Sequence, residues 1–244
     1  MIKFFRKIRR NLLSEGKTGK YLKYAIGEIV LVVVGILIAL AINNWNETRK
    51  TKSTLSNYTE SLIKDLKQDI IILNEQTDFA ISDNKILQNL IERLSSPNVN
   101  NDSLIKIVRN ELPTDFKTFR PLNSKTLLAI QSNGILEYYD DITYDYLIDL
   151  QTVQTIRSDI IKIQINNHNL QFQEMMKKYS IGEYKALSGP LAENAWSRID
   201  SDDLYRSFES YITSRKWMND KGNINRELIM AATEKVLNRL IEMQ

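Results

Sequence analysis

The stretch "YAIGEIVLVVVGILIALAINNWN", Tyr24–Asn46, decides how the rest of the chain is read. From Ile29 to Ile42 it carries no polar side chain, and after Glu28 no charge appears until Glu47. Tyr24 to Trp45 is 21 residue steps, about 31 Å as an α-helix. That length matches the roughly 30 Å hydrocarbon core of a bilayer, with aromatic side chains at both interfaces. Glu28 falls one turn inside Tyr24. There it reaches headgroups or pairs with Lys20 or Lys23 at less cost than at mid-bilayer.

Two other readings compete. Ala39-Leu40-Ala41 is an A-x-A pattern followed by polar residues, as at a signal-peptide cleavage site. Against it stand a basic region of more than twenty residues and an apolar run longer than a usual signal core. A buried core helix, apolar on every face, would need protein all around it. The pattern therefore predicts an uncleaved signal-anchor, with cleavage after Ala41 as the alternative. Eight bases (Lys3, Arg6, Lys7, Arg9, Arg10, Lys17, Lys20, Lys23) and one acid, Glu15, precede the span. The positive-inside rule then puts the N-terminus in the cytoplasm and the C-terminal part in the periplasm of an inner membrane.

The net charge of +3 is thus a terminal feature, because beyond Glu28 there remain 25 bases against 28 acids. No basic cluster falls on the folded part, which argues against a nucleic-acid partner. "MIKFFRKIRRNLL" sets Ile2, Phe5, Ile8 and Leu12 on one helical face. It either lies on anionic lipid or only fixes topology. Gly35 and Ala39 form a small-xxx-small pair through which two spans could approach. Zero cysteines exclude disulfides, thiolate nucleophiles and Cys-ligated metals.

The segment "FFRKIRRNLLSEGKTGKYLKYAIGEIVLVVVGILIALAINNWNE", Phe4–Glu47, resembles the opening of an uncharacterised family of single-pass membrane proteins of Bacteroidota. The shared features are the basic start, the "YAIGEI" entry, the "GILIAL" centre and the "NNWNE" exit. Beyond Glu47 only a helical "L…SNG.L" segment, Leu127–Leu136, fits its general form. The resemblance implies membrane anchorage and a bacterial source, and it implies no catalytic residues.

With only 8 Gly and 4 Pro and 26% charged residues, the chain reads as all-α. We expect a basic cytoplasmic segment (1–23), a transmembrane helix (24–45) and an extracytoplasmic helical bundle (46–244). Neither Gly nor Pro interrupts Gly35 to Pro97, so a long helix is expected over about 46–96. In it Ile63, Leu66, Ile70, Leu73, Thr77, Ala80, Asn84, Leu87, Ile91 and Leu94 alternate by three and four. The stripe suits a parallel two-stranded coiled coil, hence a homodimer through this helix or the span, or else the buried face of a bundle helix.

A second long helix is expected over 141–179, with Val153, Ile156, Ile160, Ile163, Asn167 and Leu170 on one stripe that Ile142, Tyr146 and Leu150 extend. The two long helices are expected to pair as an antiparallel hairpin. Between them lie a "SSPNVNND" loop, a short helix near 103–112, a turn bracketed by Pro113 and Pro121, and a helix ending at Gly134. Two C-terminal helices, 203–217 and 224–243, are expected with "NDKGN" as the turn between them. No period-two alternation persists, so little or no sheet is expected.

No chemistry rises above background. His168 is the only histidine, and no serine stands in a G-x-S-x-G elbow. If buried, His168 is placed to sense acid. Asp141, Asp145 and Asp149 form a carboxylate row that suits a cation or, more simply, a solvated helix face. "DSDD", Asp200–Asp203, reads as a helix N-terminus. No catalytic, cofactor-binding or metal-ligating residue is assigned. The sequence points to a non-enzymatic anchored protein that binds another envelope protein or itself. A ligand- or ion-sensing domain signalling through a partner is the alternative.

The membrane reading has a direct check. After an alkaline carbonate wash the mature chain should stay in the membrane pellet with residues before Ala41 still attached. A soluble chain beginning after Ala41 would instead show a cleaved signal.

Overall fold

The computed structural model describes residues 18–181 and 188–243; the amphipathic segment at Met1–Leu13 lies outside them. The chain divides into two compact units, 1–57 and 58–244. Just beyond the division Tyr58 accepts from Asn133 at 2.9 Å and Thr59 bonds to Tyr139 at 2.8 Å.

The first unit holds the opening of helix α1, Thr18–Leu94. Every side chain from Ile29 to Lys50 is exposed. Beyond Ile42 polar groups pair locally at i,i+4 spacing. Asn43 donates to Glu47 at 3.0 Å, Thr48 donates to the Asn44 carbonyl at 2.9 Å, and the Arg49 guanidinium lies 6.0 Å from the Trp45 ring centre. This is a helix long and apolar enough to cross a membrane.

The second unit is all helical, with no strand among the described residues. It comprises the rest of α1, then α2 (Asn101–Asn110), α3 (Lys125–Ser132), a 3-10 turn (Ile135–Tyr138), α4 (Asp141–Lys178), α5 (Pro190–Ser197) and α6 (Ser201–Glu242). The caps follow residue chemistry. Asn100 accepts from the Ser103 N–H, Asp140 from Thr143, and Asp200 from Asp202 and Asp203. Gly134 takes φ 67°, the left-handed conformation that lets the chain turn sharply after α3.

The expected antiparallel hairpin of the first two long helices is not what forms. Tyr139, just before α4, bonds to Thr59 at 2.8 Å. Ile161 packs with Leu73, and Met175 and Tyr179 join the cluster of Leu87 and Leu90. Helices α1 and α4 therefore run parallel. The antiparallel partner of both is α6. Along α4 the pairings run from Lys178–Asp203 through Gln171–Ser210 to Thr143–Met243. Along α1 they run from Asp83–Arg215 to Leu73–Ile229.

Parallel helices need a return crossing, and residues 112–124 supply it as a strap without regular structure. Its Pro113 carbonyl lies at the level of Asp83, and Asn123 at the level of Asp69. Fourteen helical residues span about 21 Å, a distance that ten strap residues cover with slack to spare.

A strap buried against helices exposes carbonyls that no ladder satisfies. Arg215 of α6 answers this. Its Nη1 donates to the Pro113 carbonyl at 2.7 Å and its Nη2 to the Asp115 carbonyl at 2.6 Å. Its Nε and Nη2 also fork onto Asp83 at 2.8 and 2.6 Å. Tyr211 donates to the Pro113 carbonyl at 2.6 Å, and Asn219 donates to Asp83 at 2.7 Å. Lower down, Asp69 accepts from the backbone and side-chain N–H of Asn123, both at 2.7 Å.

One further expectation is corrected. "NDKGN" is no turn: it lies inside α6, whose 42 residues run unbroken. A single helical glycine costs only about 1 kcal/mol, and Asn219 and Asn225 are buried with hydrogen-bond partners. The α1 stripe packs within the chain, with Ile63, Leu66, Leu73, Ala80 and Leu87 buried and the rest half-buried, and beside it runs a buried column the apolar pattern skips: Leu62, Asp69, Gln76, Asp83 and Leu90. The stripe thus serves as a bundle face, and along 63–94 it is not free for a coiled coil.

The clamp generates a test. Arg215→Met should destabilise the fold by about 3–5 kcal/mol, because it strands Asp83 in the interior. Adding Asp83→Leu should recover part of the loss and not all, since the strap carbonyls stay unpaired. Urea unfolding midpoints of the three variants check this.

Candidate interaction surface

Helix α4 turns a different face inward from the one its apolar pattern suggests. Thr143, Leu147, Leu150, Ser158, Ile161, Gln164, His168 and Met175 are buried. The expected stripe is displaced: Ile142, Ile156, Ile163 and Leu170 are 54%, 52%, 59% and 51% exposed. The inner face carries polar groups because it meets Ser214 and the strap, so hydrophobicity alone misassigns it. What remains outside is a row of large aliphatics spaced by seven, with Asp149 in its gap and Val153 and Ile160 half-buried alongside. A seven-residue spacing keeps a seam nearly straight along a helix and is what a second helix packs against.

A second apolar feature lies at the other end of the body. Ile91, Leu94, Leu104, Phe208 and Ile212 line a groove of about 440 Å³. The other large depressions are broad and polar, such as that between Glu92, Arg93 and Lys106. The carboxylates Asp141, Asp145 and Asp149 are exposed on α4. Among the described residues no three His, Asp or Glu side chains stand close enough to hold a metal.

His168 is fully buried. Its Nδ1 lies 2.9 Å from Ser214 Oγ, which donates onward to the Tyr211 carbonyl at 2.9 Å. With the Ser214 proton so committed, Nδ1 carries the hydrogen and His168 is neutral. Its Nε2 has no partner and the Phe116 ring packs edge-on at 4.9 Å. Burial, reinforced by the nearby Arg215 charge, pushes the imidazole down to about 4. Asp69 moves the other way: burial outweighs the Asn123 hydrogen bonds and pushes it up to about 6.

Sequence reasoning singled out His168 and missed Asp83 and Arg215 beside it, as well as Asp69 further along α1. One signal was present: Asp69, Gln76 and Asp83 recur every seven residues in a column bounded by Leu62 and Leu90.

Comparison with known proteins adds a family. Residues 28–126 match a model described as "Family of unknown function (DUF6090)". The match takes in the apolar segment, the rest of α1, α2 and the strap, and it stops before α4. No curated protein and no solved structure matches the chain. The chain is thus similar, over less than half its length, to an uncharacterised family that carries no assigned activity.

His168 and Asp69 oppose each other in acid. His168 favours the fold fully above about 6.5 and loses that contribution as pH falls toward about 4. Asp69 holds its proton more tightly when folded, so its contribution is full below about 3.8 and lost as pH rises through about 6. Asp69→Asn should therefore steepen the loss of stability from pH 6 to 4, and His168→Gln should flatten or reverse it. Thermal unfolding across pH 4–7 measures both slopes.

Proposed function

We infer that this chain is a membrane-anchored interaction protein, not an enzyme, whose helical body offers the outer face of α4 to a helix of another envelope protein. The observation that carries the reading is the exposed aliphatic row Ile142, Ile156, Ile163 and Leu170. Large aliphatics repeating every seven residues along an exposed helix face suit the packing of a second helix. Val153 and Ile160 widen the seam without being free to leave the core.

The charge asymmetry supports the remaining parts of the reading. Eight bases before the span favour a single-pass inner-membrane protein with a cytoplasmic N-terminus and a periplasmic body. A second copy of the chain is an alternative occupant of the α4 row, and the Gly35/Ala39 pair would then bring the two spans together.

A photo-reactive residue placed at Ile163 in the full chain, in native membranes, should give a discrete cross-linked adduct. Ile156→Gln with Leu170→Gln should abolish it while leaving the melting temperature unchanged. An adduct of twice the chain mass would assign the row to self-association. No adduct at Ile163 would sink the reading.

A further inference from the structure

The most unbalanced group in the molecule is Arg226. It sits on the inner side of α6 and is only 7% exposed. Its Nη2 donates to Asn223 one turn back on the same helix, while its Nε is buried with no partner. Among the described residues no carboxylate pairs with it. Burial alone acts on it, pushing the guanidinium down to about 10. The contrast with Arg215 is sharp, since that arginine has Asp83 in a two-bond fork. A buried cation left without an anion costs several kcal/mol. At neutral pH an arginine does not escape that cost by losing its proton.

The surroundings are shaped for a small guest. A chamber of about 30 Å³ opens beside Arg226, with Gln76, Thr118, Asn219 and Lys117 on its wall. That is room for one or two water-sized particles. No acid lines it, and a second cation, Lys117, stands at its exposed mouth with Nζ 4.7 Å from the Phe79 ring centre. Gly222 belongs to the same construction. A Cβ there would fall 3.1 Å from Arg226 Nη1 and 3.3 Å from Nη2, so the glycine makes room for the guanidinium plane.

We propose that this chamber is a binding site for one small monovalent anion of chloride size, held by the Arg226 guanidinium and screened by Lys117. The space suits a chloride-sized ion better than phosphate or an organic acid, and the two cations disfavour metal ions. The site ties α6 to α1, α4 and the strap, since all four contribute to its wall. The anion therefore binds the folded chain and not the unfolded one. It is independent of the α4 row, which faces solvent.

The test uses the full chain in detergent, with sodium chloride against sodium gluconate at constant ionic strength. Once chloride exceeds its dissociation constant, the unfolding equilibrium constant should fall about tenfold for each tenfold rise in chloride. Gluconate alone should give no such slope. Arg226→Met should remove the chloride dependence. Should that variant fail to fold, bromide soaked into wild-type crystals gives an independent reading. One anomalous peak in the chamber within hydrogen-bond reach of the Arg226 guanidinium is expected. Equal stability in the two salts, an unchanged slope in Arg226→Met, or a chamber holding only water would overturn the proposal.

Discussion

The fork of Arg215 onto Asp83 is the interaction from which the arrangement of the body follows. Both side chains are almost wholly buried, at 1% and 4% exposure. Neither charge would be tolerable there alone. Together they also solve a second problem, because Arg215 carries the carbonyls of Pro113 and Asp115 as well. A strap can cross the interior only if its backbone groups find partners. With that crossing secured, α4 is free to start beside Thr59 and run parallel to α1. Without it, the shortest route would be the simple hairpin.

This solution places polar groups where a bundle would ordinarily place leucines. Asp83, Asn219, Tyr211 and Arg215 form one satisfied layer, with His168 and Ser214 beside it. Ser158, Gln164 and His168 turn α4's mixed face inward. Its most regular aliphatic row is left facing out. The exposed row and the polar interior are two consequences of one rotation of α4, which links the internal clamp to the surface offered for binding.

Among the buried arginines, balance is uneven. Arg215 is matched in charge and in hydrogen bonds, whereas Arg226, three turns along the same helix, has Asn223 as a hydrogen-bond partner but no carboxylate, and its Nε is left unpaired. Such an imbalance is informative because interiors rarely leave a charge unanswered. The glycine opposite it, the acid-free chamber and Lys117 at the mouth all point the same way.

Local chemistry was enough to read the apolar helix, the helix start at Asp200–Asp203, the close of α3 at Gly134 and the all-α class. Each depends on side chains within a few residues of one another, or on an apolar run that no partner can alter. The sequence also showed which α1 residues alternate by three and four. It did not show which face of α4 turns inward, because Ile156 and Ile163 look more like core than Ser158, Gln164 and His168 do. Nor could it show that α1 and α4 are parallel or that 201–242 is one helix. Those outcomes depend on pairings far apart in the chain, Asp83 with Arg215 and Thr59 with Tyr139. Only the folded body brings such partners together, and only there does burial make their bonds worth more than an apolar contact.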